Sequence, residues 1–229
     1  MVQVNKTKQF VRFRFKKQGS LQYISHLDLV RTMHKVIVRA KLPLWYTEGF
    51  NPKPKMIFAA PLSIGTESVC EFMDIRMNEY IDPAEAMARI NANMTSEMQI
   101  VEAYYPETKF TDLKWMSYRM IINTAGLCDE LVEKCNDLLS SSVIEIPKKN
   151  SDKMIDIRPL IKSADAFRDG ENIVINAVLS ADSSAFLNPE YVIKALRDKC
   201  GILSSADLTS ESYEIVRLNA FFEDMSEFR

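Results

Sequence analysis

The chain has 229 residues, of which 47% are hydrophobic and 26% are charged. These fractions are ordinary for a folded globular protein, so they exclude the disordered, collagen-like and coiled-coil classes, and the length suits one large domain or two small ones. No apolar run approaches the roughly 18 residues of a membrane-spanning helix, and the first ten residues lack the apolar region of a secretory signal. We therefore expect a cytoplasmic protein with no membrane partner.

The net charge of −2 conceals an uneven distribution of charge along the chain. Residues 1–60 contain twelve Lys and Arg but only two acids, a local charge of +10, whereas the remainder of the chain carries −12. An anionic partner responds to the local field and not to the total. The basic third therefore predicts a nucleic acid or an acidic protein surface as partner. The alternative is that the two parts neutralise each other across an internal interface.

The first half of the chain predicts elements in the order β-α-β-β-α-β. Residues 11–17 alternate between apolar and basic side chains, which is typical of a half-buried strand. Ser25 and Asp28 form a capping box for a helix that runs to about Ala40. The other predicted elements are strands at 44–46, 55–60, 70–77 and 98–105, and a second helix opened by Asp82 and Pro83.

The same order of elements is predicted to recur after a polar bridge at residues 106–112. Its predicted elements are a strand at 115–123, a helix at 127–139, a hairpin of 143–146 with 154–157, a strand at 172–180, a helix opened by Asn188 and Pro189, and a last strand at 213–222. We therefore predict an α+β fold of two tandem ferredoxin-like (split βαβ) units, residues 1–106 and 113–229. A single larger mixed sheet is the alternative.

Basic side chains recur regularly on the first predicted helix and strand. Arg31, Lys35 and Arg39 follow an i, i+4, i+8 spacing, so they share one face of the helix. Cations spaced in this way can follow a phosphate backbone, and the scarcity of acids favours anion binding over a merely solvated surface. The alternating basic residues of the strand are predicted to extend this track; they are Arg12, Arg14 and Lys16.

A second candidate for RNA contact is the loop at residues 49–55. Its two prolines stiffen the backbone, and two lysines project from it. Phe50 has two interpretations, because it either stacks on a base or plugs the core. The predicted nucleic-acid-binding residues are Arg12, Arg14, Lys16, Arg31, Lys35, Arg39, Phe50, Asn51, Lys53 and Lys55.

His26 is the one candidate catalytic residue. It lies in the first turn of the first helix beside Ser25, where an imidazole can act as a general base or bind a ligand, with a structural role as the alternative. The chain has no evident Ser/His/Asp or Cys/His set and no glycine-rich phosphate loop. We therefore predict no cofactor and no metal, and we favour a protein that is not an enzyme.

The sequence contains a specific set of motifs at residues 23–31, 39–43, 49–55 and 58–65, and a weaker motif at residues 155–159. This set resembles the bacterial family called radical SAM-linked proteins, an uncharacterised domain that is free-standing or fused behind radical SAM enzymes with a cobalamin-binding domain. The resemblance implies a radical SAM enzyme as partner but no known activity. The chain lacks Cys-x-x-x-Cys-x-x-Cys, so it cannot hold that enzyme's cluster itself. The motif residues are Tyr23, Ser25, His26, Asp28, Arg31, Gly49, Phe50, Asn51, Pro52, Pro54, Lys55, Pro61, Leu62 and Gly65.

These observations lead to one predicted function and two alternatives. We predict an accessory RNA-binding module that acts with a radical SAM enzyme in RNA modification. The first alternative is a metal-independent RNA-processing enzyme that uses His26. The second is a docking scaffold whose basic third meets an acidic surface of the radical SAM partner.

Overall fold

The structure is a computed structural model, and it describes residues 9–147, 153–207 and 209–229. The fold is α+β, as predicted, with four α-helices and antiparallel strand pairing in the described part of the chain. The chain divides into two compact units: unit 1 is Met1–Phe110 with Arg229, and unit 2 is Thr111–Phe228. None of the helices in the described residues is both long and apolar enough to cross a membrane.

The described residues of unit 1 form four strands and two α-helices. The helices lie between strands in the order β-α-β-β-α-β, and the strands pair in the order β4-β1-β3 with β2 paired to β3. All three pairings are antiparallel, and Phe13 in the central strand lies opposite Met73 on one side and Ala103 on the other. The elements are β1 (Phe10–Lys17), α1 (His26–Arg39), β2 (Met56–Phe58), β3 (Thr66–Arg76), α2 (Pro83–Asn91) and β4 (Met98–Tyr104).

Both helices of unit 1 pack against one face of its sheet. Phe13 and Phe15 belong to the same core cluster as Met33 and Ile37 of α1 and Ile90 of α2. Because side chains alternate along a strand, Arg12, Arg14 and Lys16 of β1 point to the opposite face. The prediction of a half-buried strand is wrong in one respect, since Arg12 on that second face is fully buried.

The local signals at the ends of α1 act as predicted. The Ser25 side chain accepts a hydrogen bond from the Asp28 amide at 3.1 Å, which satisfies one of the free N–H groups of the first turn. The strand predicted at 44–46 does not form. Only isolated bridges occur there, between Leu44 and Met77 and between Tyr46 and Pro54.

Four strands of unit 2 pair side by side in the order β10-β5-β9-β8. Every second residue of its strand β5, from Met116 to Ile122, is buried, which is the pattern of a strand with one face on a core. The elements of unit 2 are β5 (Trp115–Asn123), α3 (Asp129–Ser140), β6 (Glu145–Pro147), β7 (Met154–Asp156), β8 (Ile161–Asp169), β9 (Asn172–Ser180), α4 (Glu190–Cys200) and β10 (Ser212–Phe221).

The sequence prediction missed β8. The predicted hairpin does form from β6 and β7, but as a separate two-stranded sheet, and the strand that pairs with β9 is β8. Only Ile161 and Ala166 of β8 are buried, so the strand carries almost no apolar alternation. It is held by backbone pairing to β9 and by Asn136 of α3, whose side chain exchanges two hydrogen bonds with the Ala166 backbone at 2.7 and 2.8 Å.

Candidate nucleic-acid interface

The outer face of α1 carries a row of three exposed cations, which we call the basic row: Arg31, Lys35 and Arg39. The row lies on the side of the helix away from the buried residues, as the i, i+4, i+8 spacing predicts. Arg31 donates to Asp28 at 3.2 Å, so part of its charge is compensated. The bond from the Ser25 hydroxyl and the bond from Arg31 hold the pKa of Asp28 below its ordinary value. Lys35 and Arg39 have no ion pair with any described residue.

Arg12 does not belong to this surface. Its guanidinium bonds to both carboxylate oxygens of Asp74, at 2.8 and 2.9 Å, and to the side chain and carbonyl of Thr108. The Phe110 ring covers it, 4.3 Å from the guanidinium carbon to the ring centroid. Burial raises the pKa of Asp74, and the bonds from Arg12 act in the opposite direction. Arg12 therefore forms a structural ion pair with Asp74. This corrects the prediction that Arg12 contacts RNA.

The two other predicted cations of β1 also lie away from the basic row. Arg14 and Lys16 share the face of β1 that is opposite to α1, and both are only partly exposed. Because α1 packs on the other face of the sheet, its outer surface and these side chains point in opposite directions. A single phosphate track that joins the basic row to Arg12, Arg14 and Lys16, as the sequence predicted, is not compatible with this geometry.

The loop at residues 48–52 is exposed throughout. Its base is closed by hydrogen bonds of Thr47, whose amide donates to the Lys53 carbonyl at 2.9 Å and whose hydroxyl accepts from the Lys53 amide at 3.1 Å. Phe50 is fully exposed at the loop tip, so it does not plug the core. Gly49 has a φ of +122°, a conformation that side chains rarely adopt, and this explains the glycine at the entry to the loop.

A groove of about 470 Å³ lies between α1 and the segment at residues 47–61, and we call it the histidine groove. It is lined by His26 and His34, which are the only histidines of the chain, and by Lys53 and Lys55. His26, Val30 and His34 are spaced at i, i+4, i+8, so one side of α1 forms one wall. The Phe58 ring forms part of the other and meets the His26 ring edge to face, with centroids 5.4 Å apart.

The electrostatic character of the histidine groove is cationic. None of the described residues that line it is Asp or Glu. The Lys53 and Lys55 side chains are exposed and have no ion pair with a described residue, so their charges are available to a ligand. Such a groove can hold an anion against an apolar wall. In the described part of the chain no group of acids, histidines and cysteines is arranged to hold a metal ion.

The motif residues fall into three structural groups. His26, Pro54, Lys55 and Pro61 line the histidine groove. The exposed loop carries Gly49, Phe50, Asn51 and Pro52. The rest lie at the start of α1 or in the segments that approach it. Ser25 and Arg31 both donate to the Asp28 carboxylate, and the Gly65 amide donates to the Gln22 carbonyl at 3.0 Å. Leu62 is buried and Tyr23 is exposed.

The weaker motif at residues 155–159 has a structural role in unit 2. One oxygen of Asp156 accepts from the amides of Ile144 and Arg158, at 2.8 and 3.0 Å. The Arg158 side chain donates to the carbonyls of Ser141 and Ile161 at 3.1 and 2.6 Å. These bonds fix the ends of the β6–β7 hairpin, so nothing in this motif requires a ligand.

Sequence reasoning did not identify His34, Thr47 and Phe58 as site residues. The spacing of His26 and His34, eight residues apart on a helix, was a usable signal, since it places both imidazoles on one side of α1. No such signal existed for Phe58. It reaches the groove because β2 is paired to β3, a contact between residues distant in sequence.

Three solved structures are similar over most of this chain. A crystal structure of a Cbf5-Nop10-Gar1 complex matches 94% of this chain and 51% of that chain, with 12% identity and a TM-score of 0.49. The archaeal box H/ACA sRNP Nop10-Cbf5 complex matches 91% of this chain and 47% of that chain, with 9% identity and a TM-score of 0.45. An unknown protein from Galdieria sulphuraria matches over 92% and 99% of the two chains, with 9% identity and a TM-score of 0.27. The chain thus spans about half the length of the first two chains.

Comparison at the level of sequence gives a family without an activity. No curated protein matches the chain. A family model described as an uncharacterized protein conserved in bacteria matches residues 11–189, which include the α1 segment, the loop and the histidine groove. The chain therefore belongs to the family of uncharacterized proteins conserved in bacteria called DUF2344.

Proposed function

We propose that this protein is an accessory RNA-binding module that acts in the cytoplasm with a radical SAM enzyme in RNA modification. The observation that carries the RNA-binding part is the exposed basic row on α1, and the exposed lysines of the 49–55 loop add to it. Four of these cations make no ion pair with a described residue, so no described acid compensates their charges. They are Lys35, Arg39, Lys53 and Lys55. Exposed cations without an ion-pair partner favour a polyanion, because each neutralised phosphate releases counterions.

We also infer that each unit is a ferredoxin-like unit, which makes the chain a tandem pair. In unit 1 the strand order β4-β1-β3-β2 and the β-α-β-β-α-β sequence of elements support this inference. In unit 2 the order β10-β5-β9-β8 supports it equally, with the β6–β7 hairpin as an insertion after α3. RNA-recognition modules of this kind bind through an open sheet face. Because Arg12 on that face of unit 1 is buried against Phe110 and bonded to Asp74, the helix side is the better candidate for RNA contact.

The radical SAM part of the proposal rests on the motif resemblance of residues 23–65. A tagged chain expressed in its own bacterium should co-purify with a radical SAM enzyme, identified by mass spectrometry and by the absorbance of its iron–sulfur cluster. The same preparation from a strain that expresses the tag alone is the control. If the bound fraction contains no such enzyme, the accessory role is rejected and RNA binding has to be judged separately.

The RNA-binding part is tested by its dependence on salt. Changing Arg31, Lys35 and Arg39 together to Gln should reduce the slope of log K against log salt concentration by about two units, because each contact with a single-strand phosphate contributes roughly 0.7. Filter binding of a mixed-sequence single-stranded RNA at several salt concentrations measures the slope. The fold should survive, since all three side chains are exposed.

A matched control variant distinguishes the loss of specific phosphate contacts from a general loss of positive charge. Lys162, Arg197 and Lys199 are exposed cations of unit 2, and changing them to Gln alters the net charge equally. This control should leave the salt slope of the original protein unchanged. Equal effects of the two triple variants, or no RNA binding by the original protein at low salt, would reject RNA binding through α1.

A further inference from the structure

The histidine groove joins two kinds of surface in one small space. Some of the groups that line it are cationic or hydrogen-bonding, namely Lys53, Lys55 and the hydroxyl-bearing Thr47. Others are apolar, and of these Phe58 and Met56 are only partly buried and so offer surface to a ligand. Its volume of about 470 Å³ falls in the range of roughly 300–1,000 Å³ found for sites that bind small molecules.

The chemistry of the groove narrows the class of ligand. A free carboxylate or phosphate alone would use the lysines and leave the apolar wall unexplained. A purely apolar ligand would make no use of the two ammonium groups. A nucleoside 5′-phosphate has both required parts, because its phosphate suits the ammonium groups and its base presents a flat face to aromatic side chains. The edge-to-face contact of His26 with Phe58 keeps both rings at the groove, where a base can contact them.

We propose that the histidine groove binds one nucleotide of an RNA chain, with the phosphate at Lys53 and Lys55 and the base against Phe58 and the two imidazoles. This inference rests on the proposed RNA-binding function and adds a site to it. The basic row supplies sequence-independent contacts with the backbone, and the groove holds a single unstacked nucleotide in a defined place. Such a pocket is what a module needs if it is to present one nucleotide to a partner enzyme.

The two histidines make the groove directly observable. Because the chain has only two histidines and both line the groove, every imidazole signal in an NMR spectrum reports on this site. The probes are the 5′-monophosphates of adenosine, guanosine, cytidine and uridine, the corresponding nucleosides, and inorganic phosphate. At least one monophosphate should shift both imidazole signals saturably, while inorganic phosphate and the nucleosides should bind far more weakly. A His34→Gln variant assigns the two signals.

Variants then place the ligand in the groove. Changing Lys53 and Lys55 together to Gln should weaken binding of the monophosphate by about tenfold or more, since charge-assisted hydrogen bonds to the phosphate are lost. Both side chains are exposed, so the fold should be retained. The triple Gln variant of Lys162, Arg197 and Lys199 in unit 2 is the control, and it should bind the monophosphate as tightly as the original protein.

Each outcome either supports or overturns the inference. No imidazole shift with any monophosphate overturns the nucleotide site, although the salt dependence of RNA binding can still support the proposed function. Equal shifts with inorganic phosphate mean a simple anion site and also overturn it. A short single-stranded RNA should produce the same shifts and displace the monophosphate. If it does neither, the ligand is a free nucleotide and the RNA assignment is overturned.

Discussion

Arg12 and Lys35 are both cations of the basic N-terminal third, but their surroundings give them opposite roles. Arg12 is fully buried, bonded to Asp74 and covered by Phe110, so its charge is compensated within unit 1. Lys35 is exposed and has no ion pair with a described residue. The charge of a residue is therefore a poor guide to its partner until its burial is known.

We predict that Arg12→Met will destabilise the protein by roughly 3–5 kcal/mol at pH 7, because it leaves the buried Asp74 carboxylate without its partner. Burial already raises the pKa of Asp74, and removing Arg12 raises it further. The folded protein then favours the protonated carboxyl, so its stability is greater at acidic pH and is lost as pH rises through the raised pKa. Urea unfolding at pH 5 and pH 7 measures the free energy of unfolding and should show the smaller deficit at pH 5.

The matched control for this prediction is Lys35→Met, the same kind of substitution at an exposed site. It should change the free energy of unfolding by less than about 0.5 kcal/mol. The double variant Arg12→Met with Asp74→Leu should recover most of the lost stability, because it removes both charges together. If Arg12→Met is as stable as Lys35→Met, the buried ion pair does not contribute as we propose.

At the scale of secondary structure, some features follow from local sequence signals and others depend on contacts between distant residues. The Ser25 cap of α1 and the Asp82 cap of α2 depend on a few neighbouring residues, so the sequence predicts them. The strand β8 has little apolar pattern of its own and exists because β9 and Asn136 pair with it. The histidine groove also depends on distant contacts, since it joins α1 to a segment some twenty residues later in the chain.

We predict that Asn136→Ala will loosen β8. The Asn136 side chain satisfies both the N–H and the C=O of Ala166 on the outer edge of the sheet of unit 2, and losing these partly buried bonds should cost about 1–3 kcal/mol. Hydrogen exchange at the Ala166 amide should become faster, while exchange in β5 should change much less. Asn176→Ala, an exposed site on β9, is the control. Unchanged protection of Ala166 in Asn136→Ala would mean that pairing with β9 alone holds this strand.

At the scale of the whole chain, the uneven charge of the sequence follows the division into units. Unit 1 has sixteen Lys and Arg against eleven acids, a net charge of +5, and unit 2 has thirteen against twenty, a net charge of −7. The sequence predicted this asymmetry, because charge can be counted without a structure. It could not predict which cations of unit 1 are exposed, because burial is decided by packing between distant segments. Among residues 9–60, the structure places the exposed cations on α1, at Lys41 just after it and in the 49–55 loop.

The charge of the two units leads to a prediction about where RNA contacts the chain. RNA containing 4-thiouridine, irradiated with the intact protein, should cross-link mainly to peptides from α1 and the 49–55 loop of unit 1, including the fully exposed Phe50. The acidic unit 2 should yield few cross-links, because its net charge of −7 repels the phosphate backbone. Mass spectrometry of the digested complex locates the modified peptides.

In the triple Gln variant of Arg31, Lys35 and Arg39 the yield from unit 1 should fall, whereas the triple Gln variant of Lys162, Arg197 and Lys199 should cross-link like the original protein. Cross-links concentrated in unit 2, or a yield from unit 1 that the basic-row variant does not reduce, would show that RNA reaches the chain by another surface.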